Sequence, residues 1–202
     1  MNNTHPVSNT IGVISCPMVN ANIQPFVNLI KICDKNADGI FVIITLDRKL
    51  SNIIIPNVKT NKHAKIIHKS GKSIFFRIIG YFLTQLKMSY YILFFSKSKK
   101  IWIFYLDNYL LLPMLVLKIL KKNTFIILGG YLEKEIEFHG NYLDKLSNLF
   151  LAKLNFYLCD YIVIYSIRLV SLWNLTKYRN KILIAHEHFL DFNTFTVTTP
   201  YY

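Results

Sequence analysis

Short, nearly unbroken apolar runs recur along the chain, each closed by a polar break. Ile11-Gly-Val-Ile-Ser15 is the first, ended by Cys16-Pro17. Ile40–Ile44, Ala64–His68, Ile101–Tyr105, Thr124–Leu128, Tyr161–Tyr165 and Lys181–Ile184 follow. Runs this short and this rich in Ile, Val and Phe read as strands buried on both faces. The segments between them return to apolar residues every three or four positions. Ile23 to Asp34 does so at Ile23, Phe26, Val27, Ile30 and Cys33, which predicts a helix. Asn36-Ala-Asp-Gly39 then supplies turn chemistry.

Ser73 to about Phe95 predicts a long apolar helix, or a pair of helices broken near Gly80. Asn108 to Lys121 reads as helical. Pro113 sits near its first turns, and Lys118, Lys121 and Lys122 at its end, where cations suit the helix dipole. Leu143 to Leu158 is amphipathic, and Ile167 to Arg179 is helix-like. Leu50 to Lys62 and Glu133 to Asn141 read as irregular. Strands alternating with helices predict an α/β fold: an open, mainly parallel Rossmann-like sheet of six or seven strands with helices on both faces. Residues 1–202 are expected to form a single domain, long enough for a real core.

Composition sharpens this picture in three places. The chain is 52% hydrophobic and 15% aromatic, with mean hydropathy +0.30, so much of its length is expected to be buried. Ile101 to Leu120 and Ser73 to Ser96 approach the length of a membrane span. Asp107, Asn108, Pro113 and Lys118 interrupt the first, which reads better as strand plus helix, and Arg77 and Lys87 interrupt the second. Cys16, Cys33 and Cys159 are scattered and odd in number, which predicts reduced thiols rather than a disulfide framework. Met1 to Thr10 is polar and carries no signal-peptide pattern.

The net charge of +13 is regional. From Asp47 to Lys100 there are twelve Lys and Arg against one acid, whereas the rest of the chain has twelve bases and ten acids. Such a patch either attracts a polyanion, such as an anionic membrane surface, or is simply a solvated basic face. Basic residues beside the apolar 73–96 segment suit a helix lying in a bilayer interface, and a core helix is the alternative. No nucleic-acid motif is present, and no nucleic-acid partner is expected.

In an open parallel sheet, ligands bind beyond the carboxyl ends of the strands. That rule selects Cys16 to Asn20 and on to Asn22, Asp107-Asn108, Gly129-Gly130-Tyr131, Ser166 and His186-Glu187-His188. The candidate substrate-binding residues are therefore Asn20, Asp107, Gly129, Gly130, Tyr131, Ser166 and Glu187. Gly129-Gly130 allows either close backbone approach to a ligand or a tight strand-end turn. It is not a dinucleotide fingerprint, which needs G-x-G-x-x-G leading into a helix. His186 and His188 lack further ligands nearby, so no metal site is expected. Ser166 lacks the G-x-S-x-G elbow of a hydrolase and reads as the N-cap of the next helix.

The order and spacing of these elements resemble the N-terminal half of glycosyltransferase family 4, enzymes of the GT-B fold. Ile101-Trp-Ile-Phe-Tyr-Leu-Asp107 and Thr124-Phe-Ile-Ile-Leu-Gly-Gly130 carry part of the likeness. Its most specific stretch is Cys159-Asp-Tyr-Ile-Val-Ile-Tyr-Ser166, a helix, Lys181-Ile-Leu-Ile184, and Phe189-Leu-Asp-Phe-Asn-Thr-Phe195. The likeness spans most of residues 11–195. This chain departs from the family by having Gly129-Gly130 where a His-Gly pair is common, and Cys16-Pro-Met-Val-Asn20 where a Gly-rich loop is common.

The resemblance implies an acceptor-side domain that takes a lipid-linked or polysaccharide acceptor at the membrane face. It implies a nucleotide-sugar donor held by a C-terminal domain absent from this chain, and no cofactor in the chain itself. Its expected partners are thus a sugar or lipid-linked acceptor, an anionic membrane surface and a separate donor-binding domain. The expected location is cytoplasmic, peripheral on the inner face of the membrane, and the chain alone is expected to be inactive. A non-catalytic membrane-surface or partner-binding α/β module is the alternative.

Overall fold

The structure, a computed structural model, describes residues 10–18, 23–47, 62–68, 73–95, 100–106, 108–129 and 142–185. Among them seven strands form one sheet: β1 (Thr10–Met18), β2 (Gly39–Asp47), β3 (Lys62–His68), β4 (Ile101–Tyr105), β5 (Asn123–Ile127), β6 (Tyr161–Ile164) and β7 (Ile182–Ile184). Their order is β3-β2-β1-β4-β5-β6-β7, and every pairing is parallel. The helices are α1 (Ile23–Asn36), α2 (Ile74–Phe95), α3 (Leu111–Ile119), α4 (Tyr142–Leu158) and α5 (Arg168–Leu172), with a 3-10 turn at Thr176–Lys181. The open parallel Rossmann-like sheet expected from the alternation is the fold of this chain.

Strand order decides which face each helix covers. From β1 the chain steps one way to β2 and β3. It then crosses back to β4 and keeps stepping the other way. Parallel crossovers are right-handed, so reversing the direction reverses the face. Accordingly α1 buries Phe26, Ile30 and Cys33 against Val13, Val42, Ile44 and Tyr105 on one face. On the other, α2 (Met88, Ile92), α3 (Met114, Leu117) and α4 (Ala152, Phe156) pack on Ile14, Phe41, Trp102, Phe104 and Ile162.

Two elements depart from the sequence expectation in a way that the backbone explains. First, β1 continues through Cys16-Pro17 to Met18, with its register against β2 shifting between Ser15 and Met18. Proline has no N–H for the ladder, so the strand passes it by an irregularity rather than ending. Second, the expected helix over 167–179 is two pieces. Asn174 adopts a left-handed φ of 53°, and Leu175 N–H donates to Val170 C=O at 2.8 Å, which closes α5. Ile74–Phe95 is one continuous helix through Gly80, the long-helix reading of that segment rather than the broken pair.

The end of α3 uses the same closing device. Lys122 N–H donates to Leu117 C=O and Lys121 N–H to Lys118 C=O, both at 3.0 Å, with Lys121 at φ 54°. A side chain in that conformation is strained where glycine is not. Lys121→Gly is therefore expected to stabilise the chain by about 0.5–1 kcal/mol, while Lys121→Ala does not. Thermal unfolding of the two variants checks this.

Candidate functional site

The strand order reverses between β1 and β4, which makes the crevice beyond their carboxyl ends the ligand-binding position of this fold. The last paired residues there are Ser15 and Tyr105. Ser15 Oγ is buried and has no hydrogen-bond partner among the described residues. Beyond Tyr105 the chain turns sharply. Leu106 N–H still donates to Ile127 C=O at 3.0 Å, but Leu106 itself has a left-handed φ of 51°. That conformation costs a non-glycine residue roughly 1–2 kcal/mol, and such strain concentrates where a ligand site needs the backbone re-aimed.

Two side chains from other helices brace this turn. Asn155 of α4 donates from Nδ2 to Asn108 C=O at 2.8 Å, and both residues are buried. Gln85 of α2 accepts Leu112 N–H at Oε1, 2.9 Å, at the start of α3. That start has no side-chain cap of its own. Leu111 N–H reaches Tyr109 C=O, Met114 N–H reaches Leu110 C=O, and Pro113 has no N–H to place. Every first-turn donor is thus satisfied, which fixes the start of α3 in space.

Of the sequence candidates, Gly129 and Ser166 stand at strand ends on this rim. Asn20, Asp107, Gly130, Tyr131 and Glu187 lie outside the described residues, as do His186 and His188. Gly129 is exposed and its backbone is not left-handed. What it lacks is room, because a Cβ there would meet the tip of the Leu106 side chain. Ser166 precedes the N-cap position of α5, which is Ile167. Its Oγ accepts Arg168 N–H only at a long 3.4 Å, so its capping role is weaker than its position suggested.

Gln85, Asn155 and the strained Leu106 were not among the candidates. The available signal was a polar residue inside an otherwise apolar helix, since a buried amide must find a partner. His68, at the carboxyl end of β3, was also passed over. Its Nδ1 lies 3.0 Å from Thr84 Oγ1, whose own proton goes to Gly80 C=O at 2.8 Å. The hydroxyl has one proton to give, so His68 donates from Nδ1.

Among the described residues no three His, Cys, Asp or Glu side chains gather as a metal site requires. Cys33 and Cys159 are buried, and burial pushes their thiols up to about 11 and about 12, which makes them packing residues rather than nucleophiles.

No protein-family model and no curated protein matches this chain. Solved structures do. LpCGTa, solved with UDP, superposes with a TM-score of 0.61 at 9% identity, over 91% of this chain and 55% of its own. A UDP-N-acetylglucosamine 2-epimerase superposes at 0.62 and 10% identity, over 96% and 52%. Glycyrrhiza uralensis UGT73P12, solved with glycyrrhetinic acid 3-O-monoglucuronide, superposes at 0.57 and 9% identity, over 88% and 48%. At such identities the likeness is one of fold. The chain has the architecture of one GT-B half-domain and spans about half the length of the structures it matches.

Proposed function

We propose that this chain is the acceptor-side half of a GT-B glycosyltransferase of the family 4 kind, using a nucleotide-sugar donor and a lipid-linked or polysaccharide acceptor. The observation that carries the reading is the braced, strained turn at the switch point of a GT-B half-domain. In this reading the rim from Asn20 through Asp107, Gly129, Gly130 and Tyr131 to Ser166 and Glu187 faces the acceptor. Asp107 follows the Leu106 turn directly, and a carboxylate there suits uptake of the acceptor hydroxyl's proton. Donor binding belongs to a second half, so the chain alone is inactive, because transfer needs both substrates held in one cleft.

Calorimetry of the 202-residue chain against UDP-glucose and UDP-N-acetylglucosamine is expected to give dissociation constants weaker than about 1 mM, worth under about 4 kcal/mol of binding. No sugar transfer is expected until a donor-binding half is supplied, and then Asp107→Asn should abolish it. Micromolar donor binding by the chain alone, or transfer without the second half, overturns the division of labour. Interconversion of UDP-N-acetylglucosamine with its 2-epimer in place of transfer would make the epimerase the right relative.

A further inference from the structure

We infer that α2 docks this protein on an anionic lipid bilayer, with its first turns entering the interface and the rim of the sheet held over the membrane. Most positions of the helix are apolar, and the structure divides its surface in two. Thr84, Gln85, Met88, Ser89 and Ile92 are buried against the sheet and α3. Phe82, Leu83, Leu86, Tyr90, Leu93 and Phe94 form an exposed outer stripe. The residues from Phe75 to Ile79 are exposed one after another, Phe75 at 66% and Phe76 at 64%. Five consecutive helical residues circle the whole axis, so these turns project clear of the body. An apolar surface of this extent marks an interaction site.

Charge decides the occupant. Residues 74–95 contain Arg77 and Lys87 and no acid, and Lys69 and Lys72 immediately precede them in sequence. Lys65 and Lys87 flank an open groove of about 630 Å³ between β3 and α2, floored by Leu86 and Tyr90. Cations beside an apolar floor match a phospholipid, whose phosphate and acyl chain lie side by side. A second copy fits poorly. A two-fold contact through this stripe would set the Arg77 and Lys87 of each copy against the other's, with no carboxylate on either helix to pair them.

The helix is long and apolar enough to cross a membrane by length and composition. Its inner face, however, is tied to α3 by the Gln85 bond to Leu112 and to the sheet by the Thr84 bond to His68 of β3. It therefore lies on the surface rather than spanning. Because the strands are parallel, α2 leaves the carboxyl end of β3 and returns to the amino end of β4. The projecting turns are thus at rim level, and inserting them brings the rim to the membrane. That this presents a lipid-linked acceptor on the inner face of the membrane rests on the glycosyltransferase reading, whereas the docking itself does not.

Flotation of the full 202-residue chain with vesicles of equal parts phosphatidylglycerol and phosphatidylcholine tests the docking. Binding is expected to be about tenfold or more stronger than to phosphatidylcholine alone and to weaken at about 0.5 M NaCl. Phe75→Ser/Phe76→Ser/Phe82→Ser should lower it by about tenfold or more with the melting temperature unchanged. In the Phe76→Trp variant, the emission added over wild type should shift to the blue on vesicles and be quenched by brominated acyl chains. Equal binding by the triple variant, or added emission that vesicles leave unshifted in Phe76→Trp, overturns the inference. So does a dimer in sedimentation velocity that the triple variant dissolves while vesicles bind neither protein. Vesicle binding without sugar transfer, once a donor half is supplied, leaves the docking surface standing and removes the glycosyltransferase reading.

Discussion

Replacing Gly12 by Ala is expected to destabilise the chain by about 3 kcal/mol, the upper end of what overpacking a core costs. For a chain of this size that is a fall in melting temperature of about 6–12 °C. Gly12 lies in β1, in register with Phe41 of β2 on one side and Trp102 of β4 on the other. A Cβ at Gly12 would fall inside the van der Waals envelope of the Trp102 indole. That ring is fully buried and edge-on to Phe41, with centroids 6.2 Å apart. It cannot swing away without opening the core beneath α2. The added methyl must instead push β1 from β4, and their last pair, Ser15 and Tyr105, opens onto the switch-point crevice. Gly129→Ala is the control, because the atom it meets is the mobile tip of Leu106, and its cost should stay below about 1 kcal/mol. Trp102→Phe should recover part of the loss in the double variant, since contacting sites couple. An unchanged melt for Gly12→Ala would mean that β1 and β4 are not packed as described.

The strands were legible because each is a short Ile/Val/Phe run between turn signals, and a sheet buried on both faces leaves little else for such runs to do. β4 is the clearest case, with the same limits, Ile101 to Tyr105, in sequence and structure. The ends of elements were less legible where backbone geometry overrode composition. Pro17 looked like a stop and is carried inside β1, and Asn174 cuts a helical pattern that runs on to Arg179.

For α2 the sequence allowed a core helix or an interface helix, and the structure shows one face of it buried and the other exposed. With apolar residues on both faces, the pattern cannot show which side meets the sheet. Only the right-handed crossover from β3 to β4 decides that. The rim was legible as a location, because it follows from the strand order. Its braces were not. Gln85 and Asn155 act on Leu112 and Asn108 across 27 and 47 residues of chain, and no local pattern encodes a bond of that reach. Lys118 sits in the last turn of α3 as expected, and it also pairs with Asp160 of the stretch that carries the family resemblance.

That pair supports the second large prediction. Asp160 Oδ1 accepts from Lys118 Nζ at 2.6 Å, and Oδ2 accepts from Thr124 N–H at 2.8 Å and Thr124 Oγ1 at 2.9 Å. One carboxylate thus joins α3, the start of β5 and the start of β6, at the end of the sheet away from the rim. Asp160→Ala strands these donors and is expected to cost about 2 kcal/mol, allowing for solvent screening of a partly exposed group. Burial pushes the Asp160 carboxyl up, but the hydrogen bonds from Lys118 and Thr124 outweigh it and hold it below its ordinary value of 3.8. The sign follows from linkage. A carboxyl whose pKa is lower folded than unfolded stabilises the fold fully above the unfolded value, and that share is lost as pH falls through the folded one. Urea unfolding of the wild type should therefore lose this contribution only below about pH 4. Asp160→Asn keeps the shape without the charge. It should be weaker than wild type at neutral pH and should lose less on acidification, so the two stability curves converge. Parallel curves would show that the carboxylate is not held by these bonds. Because the lock lies at the amino ends of the strands, neither variant should alter vesicle binding through Phe75, Phe76 and Phe82. That separation distinguishes a weakened fold from a damaged docking surface.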